Sequence, residues 1–132
     1  MNIISGTIDS IQSNGSLSIV KVRVGKEVLK TILIDEPAET SYLDVGKTIK
    51  MIFKETEVVI GIGNCHNISL QNKLVGNIKH IEQGQLLSKL RIETSVGIIT
   101  SIITSAAVKQ LQLSEGDEVT AMIKTNETLL SR

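Results

Sequence analysis

The chain has 132 residues, with 14 basic against 14 acidic side chains, so no net field draws it to nucleic acid or to an anionic membrane. One Phe, one Tyr and no Trp leave no stacking platform of the kind that single-strand binders use, and the apolar runs are too short to span a bilayer. The one cysteine, Cys65, cannot form an internal disulfide, and with no charged-then-apolar opening segment the expected compartment is the cytoplasm.

Residues 3–11 form an apolar-rich strand with Gly6 inside it, expected to mark a bulge or bend. Ser13-Asn14-Gly15-Ser16 is turn chemistry. Residues 17–24 make a second strand, with Val20, Val22 and Val24 on one face and Lys21 and Arg23 on the other. After the Gly25-Lys26-Glu27 turn, residues 28–34 are the third strand. Asp35-Glu36-Pro37 opens a short helix, since Asp caps and Pro in the first turn has no amide to lose; the helix is expected to run to about Tyr42. Strands over 48–54 and 57–62 then complete the unit. Beyond a joint at 61–70 the plan recurs: strands near 73–81, 87–94, 98–104, 118–124 and 128–130, and a helix near 105–111 capped by Thr104 or Ser105.

The recurrence is an internal repeat. Slid by 70 residues, the sequence aligns with itself without a gap: Asn2 on Asn72, Gly6 on Gly76, Ile8 on Ile78, Leu43 on Leu113, Gly46 on Gly116 and Lys54 on Lys124. The division falls at 1–66 and 67–132. Units of this size bury little apolar surface alone and draw on a neighbour or an oligomer. Five short strands with one short helix between the third and fourth point to a mainly β chain, built as two OB-like five-stranded Greek-key barrel units.

Catalytic chemistry finds no constellation. His66 and His80 lie on different elements without ligands at metal spacing, and Cys65 and His66, adjacent in extended chain, point to opposite sides. Paired carboxylates fall in turns and on solvated faces, and there is no phosphate-cradling glycine loop. The remaining signal is hydroxyl- and amide-rich: Ser69 to Asn72, Thr100-Ser101, Thr104-Ser105 and Lys124-Thr125-Asn126. Neutral donors with one lysine suit an oxyanion. The same residues also serve as caps and turns, and the pattern alone leaves both readings open.

Residues 67–78 (Asn-Ile-Ser-Leu-Gln-Asn-Lys-Leu-Val-Gly-Asn-Ile) and 103–125, closing on Gly116-Asp117-Glu118-Val119 and Lys124, resemble the Mop domain of the molbindins, within the TOBE group of transport-associated OB folds. The family opens on Ser-Ala-Arg-Asn and closes on Gly-Asp-x-Val-x-Ala-x-(Ile/Val)-Lys-Ala. The second copy matches over nearly its whole length and the first more weakly, so the chain resembles a tandem molbindin. The resemblance implies a non-enzymatic, cytoplasmic protein that binds or stores molybdate or tungstate, has no covalent cofactor and assembles as a homotrimer with oxyanion sites between subunits.

Carried over by position, one class of site takes Ser69, Gln71 and Asn72 with Lys124 and Thr125, and in the first copy Lys54 with Glu55. Gln71 replaces the family's Arg, and Glu55 stands where a small residue is usual and would repel an anion. The other class takes Thr104, Ser105 and the amide of Ala107 near the trimer axis. Its first-copy counterparts, Ile34, Asp35 and Pro37, lack the hydroxyl, add a negative charge and remove a donor, so that site is expected to be degenerate. The alternative to binding or storage is an anion-sensing module that acts through a transporter or transcription-factor partner.

Overall fold

The computed structural model describes residues 1–34, 43–63 and 67–132. The helix expected over 35–42, the axial positions Asp35 and Pro37, and the Cys65-His66 pair lie outside the described residues.

Alternation of apolar and polar residues drives each strand onto a common core. In the first sheet β1 (Asn2–Asn14), β2 (Leu17–Val24) and β3 (Glu27–Ile34) form a meander, and β4 (Thr48–Phe53) returns beside β1. Val20 and Val22 are fully buried among Ile4, Ile8, Leu29, Ile49, Met51 and Phe53, while Arg23 stays at the surface. The second sheet repeats this with β6 (Asn72–Gln83), β7 (Leu87–Thr94), β8 (Gly97–Thr104) and β9 (Glu118–Ile123), and α1 (Ser105–Gln110) lies between β8 and β9. The spatial order fourth, first, second, third strand is a Greek key in both.

The repeat holds to the level of register. Ile8 faces Val22 as Ile78 faces Ile92, and a bulge falls between Ile8 and Ser10 as it does between Ile78 and His80. The bulge is therefore past Gly6, which corrects its expected place. Gly6 and Gly76 instead mark a close approach: a Cβ at Gly6 would sit 2.6 Å from the Arg23 carbonyl oxygen, and one at Gly76 would sit 2.4 Å from that of Glu93. Gly46 and Gly116, at φ of 93° and 94°, turn so that their amides donate to the carbonyls of Ile8 and Ile78.

The fifth strands are exchanged. β5 (Val59–Ile62) pairs antiparallel with β9, Val59 opposite Met122 and Ile60 opposite Ala121. β10 (Leu129–Ser131) pairs with β4, Leu129 opposite Ile52 and Leu130 opposite Met51. The expectation that residues 57–62 complete the first unit and 128–130 the second is thus corrected, because each strand lies in the sheet of the other copy. The connections explain it. After β4 the chain leaves through Lys54 in extended conformation and a single 3-10 turn, Glu55–Glu57; after β9 it does the same through Lys124 and Thr125–Glu127. Neither segment reverses the chain onto its own sheet.

The sequence of β9 alternates, yet every residue from Val119 to Ile123 is buried, and the Thr120 hydroxyl donates to the Gly63 carbonyl at 2.6 Å; β4, flanked by two strands in the same way, keeps Lys50 exposed.

The crossing is held by buried polar contacts that repeat between the copies. The Asn72 side chain accepts from the Lys30 amide and donates to the Lys30 carbonyl, both at 2.7 Å. Asn2 does the same to Thr100, both at 2.8 Å. Thr31 donates to the Thr128 carbonyl at 3.2 Å, and Ser101 to that of Val58 at 2.8 Å. A carboxamide bonded to both backbone groups of one residue acts as a strand edge in miniature, satisfying groups whose burial unpaired would be costly.

Candidate functional site

The pairing of Asn72 with Ile123 places Gln71 and Lys124 side by side where β6 begins and β9 ends. The opening segment and the lysine segment of the second copy therefore meet at one sheet end. Ser69 lies in an exposed bend just before it, Gln71 and Lys124 are exposed, and Thr125 is half-buried in the first position of its 3-10 turn. Lys124 forms no ion pair among the described residues. Asn72 is brought to the same place, but its side chain is 1% exposed and engaged by Lys30, so its carboxamide serves the crossing between the copies. β3 of the first copy thereby borders the second copy's site. The Thr128 hydroxyl, within reach of both Thr31 and the Thr125 carbonyl, anchors the turn that carries Thr125.

The first copy's counterpart has the same backbone and different charges. Asn2 pairs with Phe53, which sets Met1 beside Lys54. Lys54 is exposed, as Lys124 is. Glu55, where the second copy has Thr125, has one carboxylate oxygen 3.9 Å from Lys89 Nζ and the other 3.6 Å from the amino nitrogen of Met1. A cleft of about 200 Å³ opens beside Lys54, lined among others by Met1, Phe53, Glu57, Asn126 and Glu127, so the two lysine segments run close together where the chain crosses.

At the other end of the second sheet, Thr104 ends β8 in extended conformation and its hydroxyl accepts from the Ala107 amide at 3.1 Å, capping α1. Ser105 is 4% exposed and fully engaged: its hydroxyl donates to the Gly84 carbonyl at 2.7 Å, lies 2.8 Å from the Ser88 hydroxyl, and its amide donates to Leu86. Thr104 thus remains at the surface and Ala107 half-buried with its amide engaged by the cap, while Ser105 is held by the 84–88 turn. Thr104 pairs with Leu87, and the rim carries Leu87 and Leu86, 57% and 82% exposed. In the first copy Ile34 is exposed and pairs with Leu17, so the position is apolar.

The sequence reading missed the engaged role of Asn2 and Asn72, although the signal was present. An Asn kept in both copies, including the copy with the weaker anion motif, marks a duty that belongs to the crossing. It also missed the contact between Glu55 and Lys89, which are far apart in sequence. His80 finds a carboxylate from another element, with Nδ1 2.9 Å from Glu115 Oε2 at the surface. No group of three His, Cys, Asp or Glu that could hold a metal ion occurs among the described residues.

Residues 68–130 match the TOBE domain family. Molybdenum-pterin-binding protein 1 of Clostridium pasteurianum is 34% identical over 65 residues, covering 48% of this chain and 96% of that protein. The molybdenum transport protein ModE of Azotobacter vinelandii is 21% identical over 132 residues, covering 98% of this chain; the chain spans about half of ModE, 49% of its length. Among solved structures, the cytoplasmic molybdate-binding protein ModG, crystallised with molybdate bound, superposes with a TM-score of 0.90 at 26% identity, covering 98% of this chain and 94% of that one. Taken with the doubled Greek key and the paired opening and lysine segments, these matches show that the chain belongs to the molbindin family of TOBE-domain proteins.

Proposed function

We propose that the chain binds molybdate or tungstate reversibly and stores it in the cytoplasm. As a molbindin it is a binding protein, not an enzyme. The observation that carries the reading is the meeting of Gln71 and the Asn72 backbone with Lys124 and Thr125 at one sheet end, with Ser69 on the segment that leads into it and Lys124 without a carboxylate partner among the described residues. One cation among neutral donors offers a fixed geometry to a tetrahedral dianion, and exclusion of water by a neighbouring subunit would strengthen each bond. The Thr104 hydroxyl at the start of α1 marks the second class of site; the Ala107 amide of that set already donates to the Thr104 hydroxyl. Lys54 belongs to the first class by position, subject to Glu55. The location is supported by the description of ModG as cytoplasmic; no helix among the described residues is long and apolar enough to cross a membrane.

Assembly as a homotrimer follows the same reading. Leu17 and Ile34 on one sheet, and Leu86 and Leu87 on the other, are exposed apolar residues at equivalent ends, the kind of surface that a partner subunit covers. Calorimetric titration with molybdate, with sulfate and chloride as competitors, tests the binding. Competition by sulfate well above that by chloride is expected, and equal competition would reduce the site to a nonspecific basic patch.

The match to ModE over 98% of this chain favours one second reading, an anion-sensing module that acts through a partner. Pull-down from lysate with and without molybdate separates the two: storage predicts no anion-dependent partner.

A further inference from the structure

The two lysine-segment sites share a backbone and differ in their charges and in the residue beside the lysine, Gln71 in one and Met1 in the other. At the second copy's site the turn begins with Thr125, and the β2 position equivalent to Lys89 is Ile19. At the first copy's site the turn begins with Glu55, and Lys89 reaches it from β7 of the other copy. The Glu55 side chain is only 24% exposed, low for a carboxylate; one oxygen is 3.9 Å from Lys89 Nζ, which is itself 40% exposed, and the other is 3.6 Å from the Met1 amino nitrogen. The crossing holds this arrangement in place, since the Glu55–Glu57 turn leads directly to Val58, whose carbonyl accepts from Ser101 on β8. Glu55 and Lys89 thus supply together what the second site lacks, a negative group already seated next to a cation.

We infer that the first copy's lysine-segment site is closed by its own chain: the Glu55 carboxylate stands in for the oxyanion, held between the Met1 amino group and Lys89 of the other copy. This rests on the function proposed above and changes its stoichiometry. The Lys124 site takes an external dianion. The Lys54 site does not, because a dianion there would share the segment with the adjacent Glu55 carboxylate, and like charges brought together repel, more so where solvent is partly excluded. Removing the carboxylate would leave Lys89 and the Met1 amino group, two cations contributed by different copies, without that partner beside the Lys54 segment, where a tetrahedral dianion could take its place. Glu55 is then the residue that sets how many anions the chain holds.

The test is calorimetric stoichiometry with molybdate for the parent, Glu55→Thr (the residue found in the second copy), Glu55→Gln, and the double variant Glu55→Thr with Lys89→Ala. Thermal melts report folding in each. Glu55→Gln keeps the shape of the side chain and serves if the threonine variant does not fold. The expected result is one more molybdate per chain in Glu55→Thr and in Glu55→Gln than in the parent, with the gain lost in the double variant. Folded Glu55 variants with the parent's stoichiometry would overturn the inference alone. A gain that survives Lys89→Ala would overturn the role given to Lys89. A parent that binds no molybdate would overturn the proposed function, and this inference with it.

Discussion

Replacing Asn72 with alanine separates a structural duty from a ligand duty at one residue. Its side chain is 1% exposed and makes two hydrogen bonds of 2.7 Å, one from the Lys30 amide and one to the Lys30 carbonyl. Asn72→Ala leaves both Lys30 backbone groups without partners on a half-buried strand edge. Each orphaned group costs about 1–3 kcal/mol, and partial access of water favours the lower end, so the loss sums to roughly 2–4 kcal/mol. For a chain of this length that lowers the melting temperature by roughly 10 °C. Asn2→Ala, whose side chain holds Thr100 in the same way at 2.8 Å, should cost a similar amount. Urea unfolding of the two single variants measures both values. Anion affinity in the folded Asn72→Ala protein should change little beyond what loosening of β6 brings. A variant as stable as the parent but tenfold or more weaker for molybdate would refute the reasoning and return Asn72 to the ligand set.

Lys124→Ala removes a charge-assisted hydrogen bond worth about 1.5–3 kcal/mol, so calorimetry should show that class of site weakened by roughly ten- to a hundredfold. Thr104→Val should abolish the axial site of the second copy and lower stability by about 1 kcal/mol through loss of the cap on Ala107, while Ile34→Thr should create no site; stoichiometry and thermal melts read both. Gly76→Ala drives a Cβ to 2.4 Å from a backbone oxygen and should cost about 1–3 kcal/mol or more, seen as a lower urea midpoint with an unchanged slope.

The repeat, the strand positions and the helix cap, narrowed to Thr104 or Ser105, were legible because each is written in local chemistry. Ile8 and Ile78 keep their register because a one-residue slip would turn every buried side chain to solvent. The exchange of β5 and β10 was not legible. Val59-Ile60 and Leu129-Leu130 are near-equivalent apolar pairs, and either could pair with Met51 or Ala121. Which sheet each joins depends on the direction in which the turns after Lys54 and Lys124 leave, and residue type alone does not set that direction. The misplaced bulge has a related cause, since a glycine inside a strand is read as a kink when close backbone approach demands it equally. At the candidate site the lysine and the opening segment were legible as positions. The engagement of Asn72 by Lys30, of Ser105 by Ser88 and Gly84, and of Glu55 by Lys89 was not, because every partner comes from a distant strand.

The most direct test of the account is a crystal of this chain grown with molybdate and measured for anomalous scattering from molybdenum. The account predicts a peak at the junction of Gln71, Lys124 and Thr125 and none beside Lys54 and Glu55. A peak at both sites, at the Lys54 site alone, or at neither would contradict it.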